Sequence, residues 1–433
     1  MPEDISLLYS IYLKHRLICI DSRNVQKNSI FFALKGENFN GNKFAKEAID
    51  KGCPYVIIDE INYKKDERFI IVNNVLETLQ KLALHHREQL NIPVIGITGT
   101  NGKTTTKDLI KCVLNKKYKT FATRGNLNNH IGVPLSILSI SNDSEIAIIE
   151  MGANHIGEIE QLCKIAQPDH GIITNIGKAH LEGFGGEEGV INAKKELYSY
   201  LKQNKGVFFV NSDNELLIKM LKEQNITKAW QYTCFTYGAS KAANYRGKII
   251  NINPVQLKWE TFINTQLFGK HNFENIMAAI CIGSYFKVKG SEIKQAIENY
   301  KPADNRGQII KTKKNKVLLD AYNANPTNMA AAISNFSQIQ AENKIIILGD
   351  MLELGSFGLK EHKAIIKLIK DQDFIQIILV GDNFSKAKRS VKCTHFADVN
   401  AAYNWLKHRN IINSFILIKG SRGIQLEKLM EVL

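Results

Sequence analysis

The stretch TGTNGKTTT, Thr98 to Thr106, carries residue types that grip a chain of phosphates. Gly99 and Gly102 let a backbone curl until successive N–H groups point inward. Lys103 adds a cation, and Thr104 adds a hydroxyl of the kind that joins a Mg2+ shell. The apolar run IPVIGI ahead of the loop predicts a buried strand. Behind it, KTTTKDLIKCVL predicts a helix whose N-terminal dipole faces the loop. Gly99, Thr100, Asn101, Gly102, Lys103, Thr104 and Thr105 are therefore candidates for holding ATP or GTP. The strict phosphate-loop spacing would set its first glycine at Ile97, whereas Gly96 stands one residue earlier. Kinases, GTPases and ligases all use such a loop, so the reaction must be read from the rest of the chain.

The elements around the loop form three blocks. Up to about Leu90, short strand-like runs (SIFFAL, YVIID, FIIV) alternate with helical stretches. From IPVIGITG onward, EIAIIEMG, HGIITNIG and GVFFVN are strongly apolar runs, each followed by a turn and a helical pattern. This alternation predicts a parallel sheet covered by helices on both faces. YKPADNRGQ, Tyr300 to Gln308, collects turn residues and reads as a boundary. A third α/β block then repeats the pattern in KVLLDAY, KIIILGD, IQIILVGD and SFILIKGS. Function in such sheets gathers beyond the carboxyl ends of the strands.

The 433 residues are 44% hydrophobic and 23% charged, which suits a soluble globular protein of two or three domains. The opening MPEDISLLYSIYLKHRL has acids ahead of its apolar stretch and no small-residue cleavage site, which argues against a secretory signal. No apolar run approaches membrane-spanning length, so no membrane insertion is expected. Seven scattered cysteines without a C-x-x-C pair suit a reducing cytoplasm. The net charge of +15 comes from lysines spread throughout, with no basic-aromatic cluster or zinc-finger spacing. That pattern argues against nucleic acid and suits small anionic substrates.

GITGTNGKTTT resembles the form this loop takes in the Mur ligases, the ATP-dependent amide-forming enzymes that build the peptidoglycan precursor. The resemblance continues in family order through DSRNVQKNSIFFALKGENFNG, EMGANHIGEI, TNIGKAHLEGFGG, AKKEL, FGKHNFENIMAA, DAYNANPTN, LGDMLELG and IKGSRG. YNANP and LGDMLELG are similar to the branch that adds a dipeptide. The branch adding the third residue is expected to show a Tyr-Ala-His-x-Pro type sequence there. Folylpolyglutamate synthases, which are relatives, usually have Gly-Ser after the loop lysine, where this chain has Thr-Thr. The resemblance implies a smaller N-terminal α/β domain for a UDP-sugar at 1–91 and a central P-loop parallel-sheet ATPase domain at 92–304. A Rossmann-like C-terminal ligase domain at 305–433 completes the chain.

The resemblance also implies the chemistry. ATP phosphorylates the carboxylate of UDP-N-acetylmuramoyl-tripeptide, the amine of D-Ala-D-Ala attacks the acyl phosphate, and phosphate leaves. Lys103, Glu150, His180 and Lys194 would form the catalytic set. Thr104 and Glu150 would hold one Mg2+, and His180 a second. Lys194 would be carbamylated, turning a cation into an anion able to bind a metal or orient the γ-phosphate. Unmodified, it would pair with neighbouring acids or be exposed, and Lys195 beside it fits the same motif.

Asn272 and Asn275 fall on one helical face, where their amides would meet adenine; a helix N-cap is the plain alternative for Asn272. Arg306 would touch the ATP phosphates and Asp320 the ribose, so ATP would bridge the second and third domains. Ser22, Arg23, Asn40 and Gly41 are the uridine-side candidates, although the usual Asp-Gly-His reads Asn-Gly-Asn here. Asn128 and Asn129 would line the path of the UDP-sugar. Asn323, Asn325, Asn328, Asp350 and Glu353 are candidates for the dipeptide, although Asn before Pro is also an ordinary turn signal. Lys419 and Arg422 would help position the carboxylate or phosphates. The expected state is a cytoplasmic monomer. Two other readings stay open: a Mur ligase adding a single amino acid, and a P-loop NTPase switch or binding module.

Overall fold

The computed structural model describes residues 5–226, 233–302 and 305–433. Residues 303 and 304 of the predicted boundary segment therefore lie outside the described residues. The apolar runs form the strands, and they sort into three main sheets.

The first sheet has four parallel strands in sequence order: Leu17–Cys19, Ser29–Phe32, Tyr55–Ile58 and Phe69–Ile71. The helix Val75–Gln89 follows, started by Asn74, whose side chain accepts from the Glu77 N–H. It also fastens this domain to the next. Buried Arg87 donates to the carbonyls of Ala166 and Gln167, and the Tyr12 hydroxyl donates to the Leu138 carbonyl at 2.6 Å.

The central sheet has seven strands, all parallel. Val94–Thr98 sits between His170–Ile173 on one side and Ile146–Glu150 on the other. The chain thus changes direction across the sheet at this strand, and a cleft opens beyond its carboxyl end. The phosphate loop leaves there, flanked by Glu150 and by Thr174–Asn175. A small antiparallel sheet, Lys248–Ile252, Val255–Trp259 and Thr261–Asn264, was not anticipated from the sequence.

The third sheet has six strands. Its edge strand, Gln308–Lys311, runs antiparallel, and the other five are parallel. Lys316–Asp320 and Phe415–Lys419 are neighbours, with Asp320 in register with Lys419. One apolar core cluster runs from Leu8 and Tyr12 in the first domain through Ile149 to Phe336 and Leu417 in the third.

Candidate functional site

Gly99 has φ +140° and Gly102 φ +77°, conformations that favour glycine. Both also have close neighbours: a Cβ on Gly99 would collide with the Thr174 hydroxyl, and one on Gly102 would lie 2.8 Å from Asn275 Oδ1. Gly102 starts the helix Lys103–Leu114, so Lys103 and Thr104 stand in its first turn. The Lys103 amine donates to the carbonyls of Gly99 at 2.7 Å and Thr100 at 3.1 Å. Burial holds its pKa below the usual lysine value, against the opposing pull of Glu150.

The Thr104 hydroxyl donates to Glu150 Oε2 at 3.1 Å. Glu150 closes its strand at 2% exposure, accepts from Asn128 Nδ2 at 2.8 Å and pairs with the Lys107 amine at 3.2 Å. Lys107 stands one turn after Lys103 on the same helix and is as buried as Glu150. The sequence reading passed over it, although its i+4 spacing from Lys103 was a usable signal.

Lys194 and Lys195 prove easy to tell apart. Lys195 pairs with Glu223 at 2.8 Å on the surface. Lys194 neither pairs with an acid nor lies exposed, contrary to both alternatives for the unmodified residue. It is 3% exposed, its amine lies 5.4 Å over the Phe184 ring, and it has no ion pair or hydrogen bond among the described residues. Burial, aided by the charge of Lys103, lowers its pKa to about 7.

Asn272 is not an N-cap; Gly269 takes that place on the helix Lys270–Tyr285. Asn272 Nδ2 donates to the Phe268 carbonyl, Asn275 Nδ2 donates to Asn272 Oδ1, and Thr106 Oγ1 donates to Asn275 Oδ1. This relay ties the helix to the phosphate loop. His271, between these elements, also lines the cleft, and desolvation there lowers its pKa.

The third domain supplies the opposite wall. Arg306 stacks on Tyr322 at 3.6 Å, leaving its buried Nε without a partner among the described residues. Arg422 approaches the same ring at 5.2 Å. The Lys419 amine donates to Asp320 Oδ2 at 2.6 Å and to the Asn323 carbonyl at 3.1 Å. Glu353 meets His180 Nδ1 at 2.6 Å, and that bond holds its carboxyl below the usual range. Tyr322 is the aromatic residue the sequence reading left unassigned within DAYNANPTN.

Together these residues line a cleft of about 520 Å³ between the second and third domains. It holds Gly99 through Thr105, Asn128, Asn129, Glu150, His180, Lys194, Asn272, Asn275, Arg306, Asp320, Asn323, Asn328, Glu353, Lys419 and Arg422. Asp350 and Asn325 do not line it. Asp350 is buried and accepts from the N–H groups of Asn383 and Phe384. Asn325 caps the helix Pro326–Ser337.

The uridine-side candidates also stand apart from the cleft, in the first domain. Ser22 is buried, and Arg23 pairs with Asp21 at 2.9 Å. Asn40 accepts from the Asn42 N–H and donates to Glu60, and the Gly41 N–H donates to the Leu34 carbonyl. Asn42, the second departure from Asp-Gly-His, is buried and donates to Asp59 at 2.8 Å.

Three family models match the chain in sequence: the Mur ligase family catalytic domain over 14–97, the Mur ligase middle domain over 97–283, and the Mur ligase glutamate ligase domain over 305–422. The UDP-N-acetylmuramoyl-tripeptide–D-alanyl-D-alanine ligase of Bacillus subtilis (strain 168) is 34% identical, over 96% of this chain and 92% of its own. A crystal structure of MurF from Acinetobacter baumannii superposes with a TM-score of 0.85 at 30% identity, covering 96% of this chain and 92% of that one. MurF ligase from Thermotoga maritima, crystallised in complex with ADP, gives 0.81 at 25% identity, with 97% of each chain covered. The chain belongs to the Mur ligase family.

Proposed function

We propose that this chain is the ATP-dependent ligase that joins D-Ala-D-Ala to UDP-N-acetylmuramoyl-tripeptide, giving the pentapeptide precursor of peptidoglycan. The γ-phosphoryl of ATP passes to the terminal carboxylate. The dipeptide amine then attacks the carbonyl carbon, a C–N bond forms, the C–O bond to phosphate breaks, and the amine gives up a proton. The observation that carries this reading is the composition of the cleft. A phosphate loop with Glu150 and Lys194 faces Arg306, Asp320 and Lys419 from another domain. Phosphoryl transfer between two anions needs such cations and a site closed to water.

The labour divides among the segments 1–91, 92–304 and 305–433. Ser22, Arg23, Asn40 and Gly41 serve the uridine end, and Asn128 and Asn129 the sugar path. The loop and Arg306 hold the phosphates, with Asp320 and Lys419 at the ribose. The third domain brings the dipeptide. Its end is assigned to Asn323 and Glu353, since Asn325 caps its helix, Asn328 is committed to that cap and the loop, and Asp350 lies outside the cleft.

Thr104 and Glu150 are adjacent hard oxygen donors, a set that fits Mg2+, which keeps much of its shell for water and phosphate. Bound there, Mg2+ supplies positive charge to the phosphate oxygens. Among the described residues no three His, Cys, Asp or Glu side chains form a closed metal cage. An amine with a pKa near 7 is partly neutral and able to add CO2, so a carbamate on Lys194, with His180, would provide for a second ion. The seven cysteines are all free, which fits a reducing cytoplasm. Among the described residues, no helix is long and apolar enough to cross a membrane. We assign the working unit as a monomer.

The test is phosphate release from ATP with UDP-N-acetylmuramoyl-tripeptide, with and without acceptor. Release that needs D-Ala-D-Ala, with D-Ala ineffective, supports the proposal. Release satisfied by one amino acid moves the chain to another branch of the family. Release indifferent to either substrate would leave only a nucleotidase.

A further inference from the structure

We infer that Asn101 is a positioning residue through which the third domain grips the phosphate loop, so that the loop registers domain closure. Asn101 Oδ1 accepts from two amides of the third domain, Asn325 Nδ2 at 2.8 Å and Asn328 Nδ2 at 3.0 Å. Two lone pairs are available on one carbonyl oxygen, and both are used. The backbone of the same residue is held from the other side. Its N–H donates to Asn175 Oδ1 at 3.0 Å, and its carbonyl accepts from Thr174 Oγ1 at 2.7 Å and Asn175 Nδ2 at 3.0 Å. One residue at the turn of the loop is thereby fixed by both domains.

The orientation of the two amides is not free. Asn325 and Asn328 form a reciprocal capping box on the helix Pro326–Ser337. Asn325 Oδ1 accepts from the Asn328 N–H, and Asn328 Oδ1 accepts from the Asn325 N–H, each at 2.9 Å. Each carbonyl oxygen is committed to its own helix, so each NH2 must point outward, toward the loop. Thr327 between them accepts from the Lys178 N–H at 2.9 Å, bringing the same helical turn onto the segment after Thr174–Asn175. The YNANPTN segment thus acts on the phosphate loop itself.

This inference rests on the reading that the third domain brings the acceptor. An acyl phosphate should form only when the amine is at hand and water is out. A contact made only with the third domain seated over the loop links those two conditions.

The test is Asn328→Asp, which keeps the oxygen that caps the helix and adds a charge favourable at its N-terminus. It replaces the donor to Asn101 Oδ1 with a second acceptor. We expect an unchanged or higher melting temperature, a KM for ATP near wild type, and kcat lowered roughly tenfold or more. We also expect Asn328→Asp to be less compact than wild type, with a larger radius of gyration by small-angle X-ray scattering, when both are given ATP and the UDP-tripeptide. Combined with Asn101→Ala, Asn328→Asp should add no further loss to that of Asn101→Ala alone. Full kcat in Asn328→Asp, additive losses in the double variant, or undiminished compaction would each overturn the inference. If wild type shows no dipeptide-dependent release, the assigned reaction fails, while the scattering comparison still decides the contact.

Discussion

A lysine buried without an anion beside it is an unusual element in a protein, and Lys194 is the residue in which the site's chemistry concentrates. Its pKa is about 7 in the fold against an ordinary 10.5, because burial and the Lys103 charge both disfavour the ammonium. The folded state therefore binds fewer protons than the unfolded state between those values. Stability is lowered in full below about pH 7 and recovers as pH rises toward 10.5. Lys194→Met removes the penalty. In CO2-free buffer its advantage over wild type, measured by urea denaturation, should be largest below pH 7 and shrink steadily above it. An advantage that grows with pH would contradict the assigned environment. The sequence named this lysine only through a resemblance, because AKKEL offers two adjacent amines and spacing does not decide which turns inward. Burial decides it: Lys195 reaches Glu223 at the surface, while Lys194 faces the cleft.

At the scale of elements, the end of the strand Ile146–Glu150 and the first two turns of the loop helix depend on each other. Glu150 answers Lys107, whose other anionic neighbour among the described residues is Asp108 at 3.8 Å. Glu150→Ala should cost about 3–5 kcal/mol by stranding a buried ammonium. The double variant Glu150→Ala with Lys107→Met should recover much of that loss; no recovery in urea denaturation would argue against the pairing. Strands such as this one were legible because a parallel strand covered on both faces is continuously apolar. The small antiparallel sheet at 248–264 was not. Its residues alternate between buried and exposed over a few positions only, as Val255–Trp259 shows, and Asn, Lys and Gln break every run. The amides stood out in the sequence as polar groups, but their hydrogen-bond partners did not. Asn272, Asn275, Asn325 and Asn328 read as groups for adenine or dipeptide, yet their hydrogen bonds run to the phosphate-loop segment, to each other and to helix ends. Which partner an amide takes depends on distances between elements far apart in sequence, which motif spacing does not carry.

At the scale of the whole molecule, the first and second domains are joined more firmly than two units linked by a tether. The helix Val75–Gln89 lies against both, Arg87 is committed to carbonyls of the second, and the apolar core is continuous between them. Scanning calorimetry should accordingly show these two domains unfolding in one transition; two separate transitions would refute the joint. Under the proposed assignment of the uridine end, the joint would also bear on substrate choice. With the uridine end held in the first domain and the reacting carboxylate delivered beside the phosphate loop, as proposed, the distance between them would be set by one joined piece of protein. The peptide stem between the two is then measured against a ruler. A stem one residue shorter or longer would deliver its carboxylate up to about 3.3–3.6 Å out of place, well beyond the length of the bond it must form with the phosphoryl group. Selection for the length of the growing peptide would reside in the joint between domains, away from any side chain that touches the peptide.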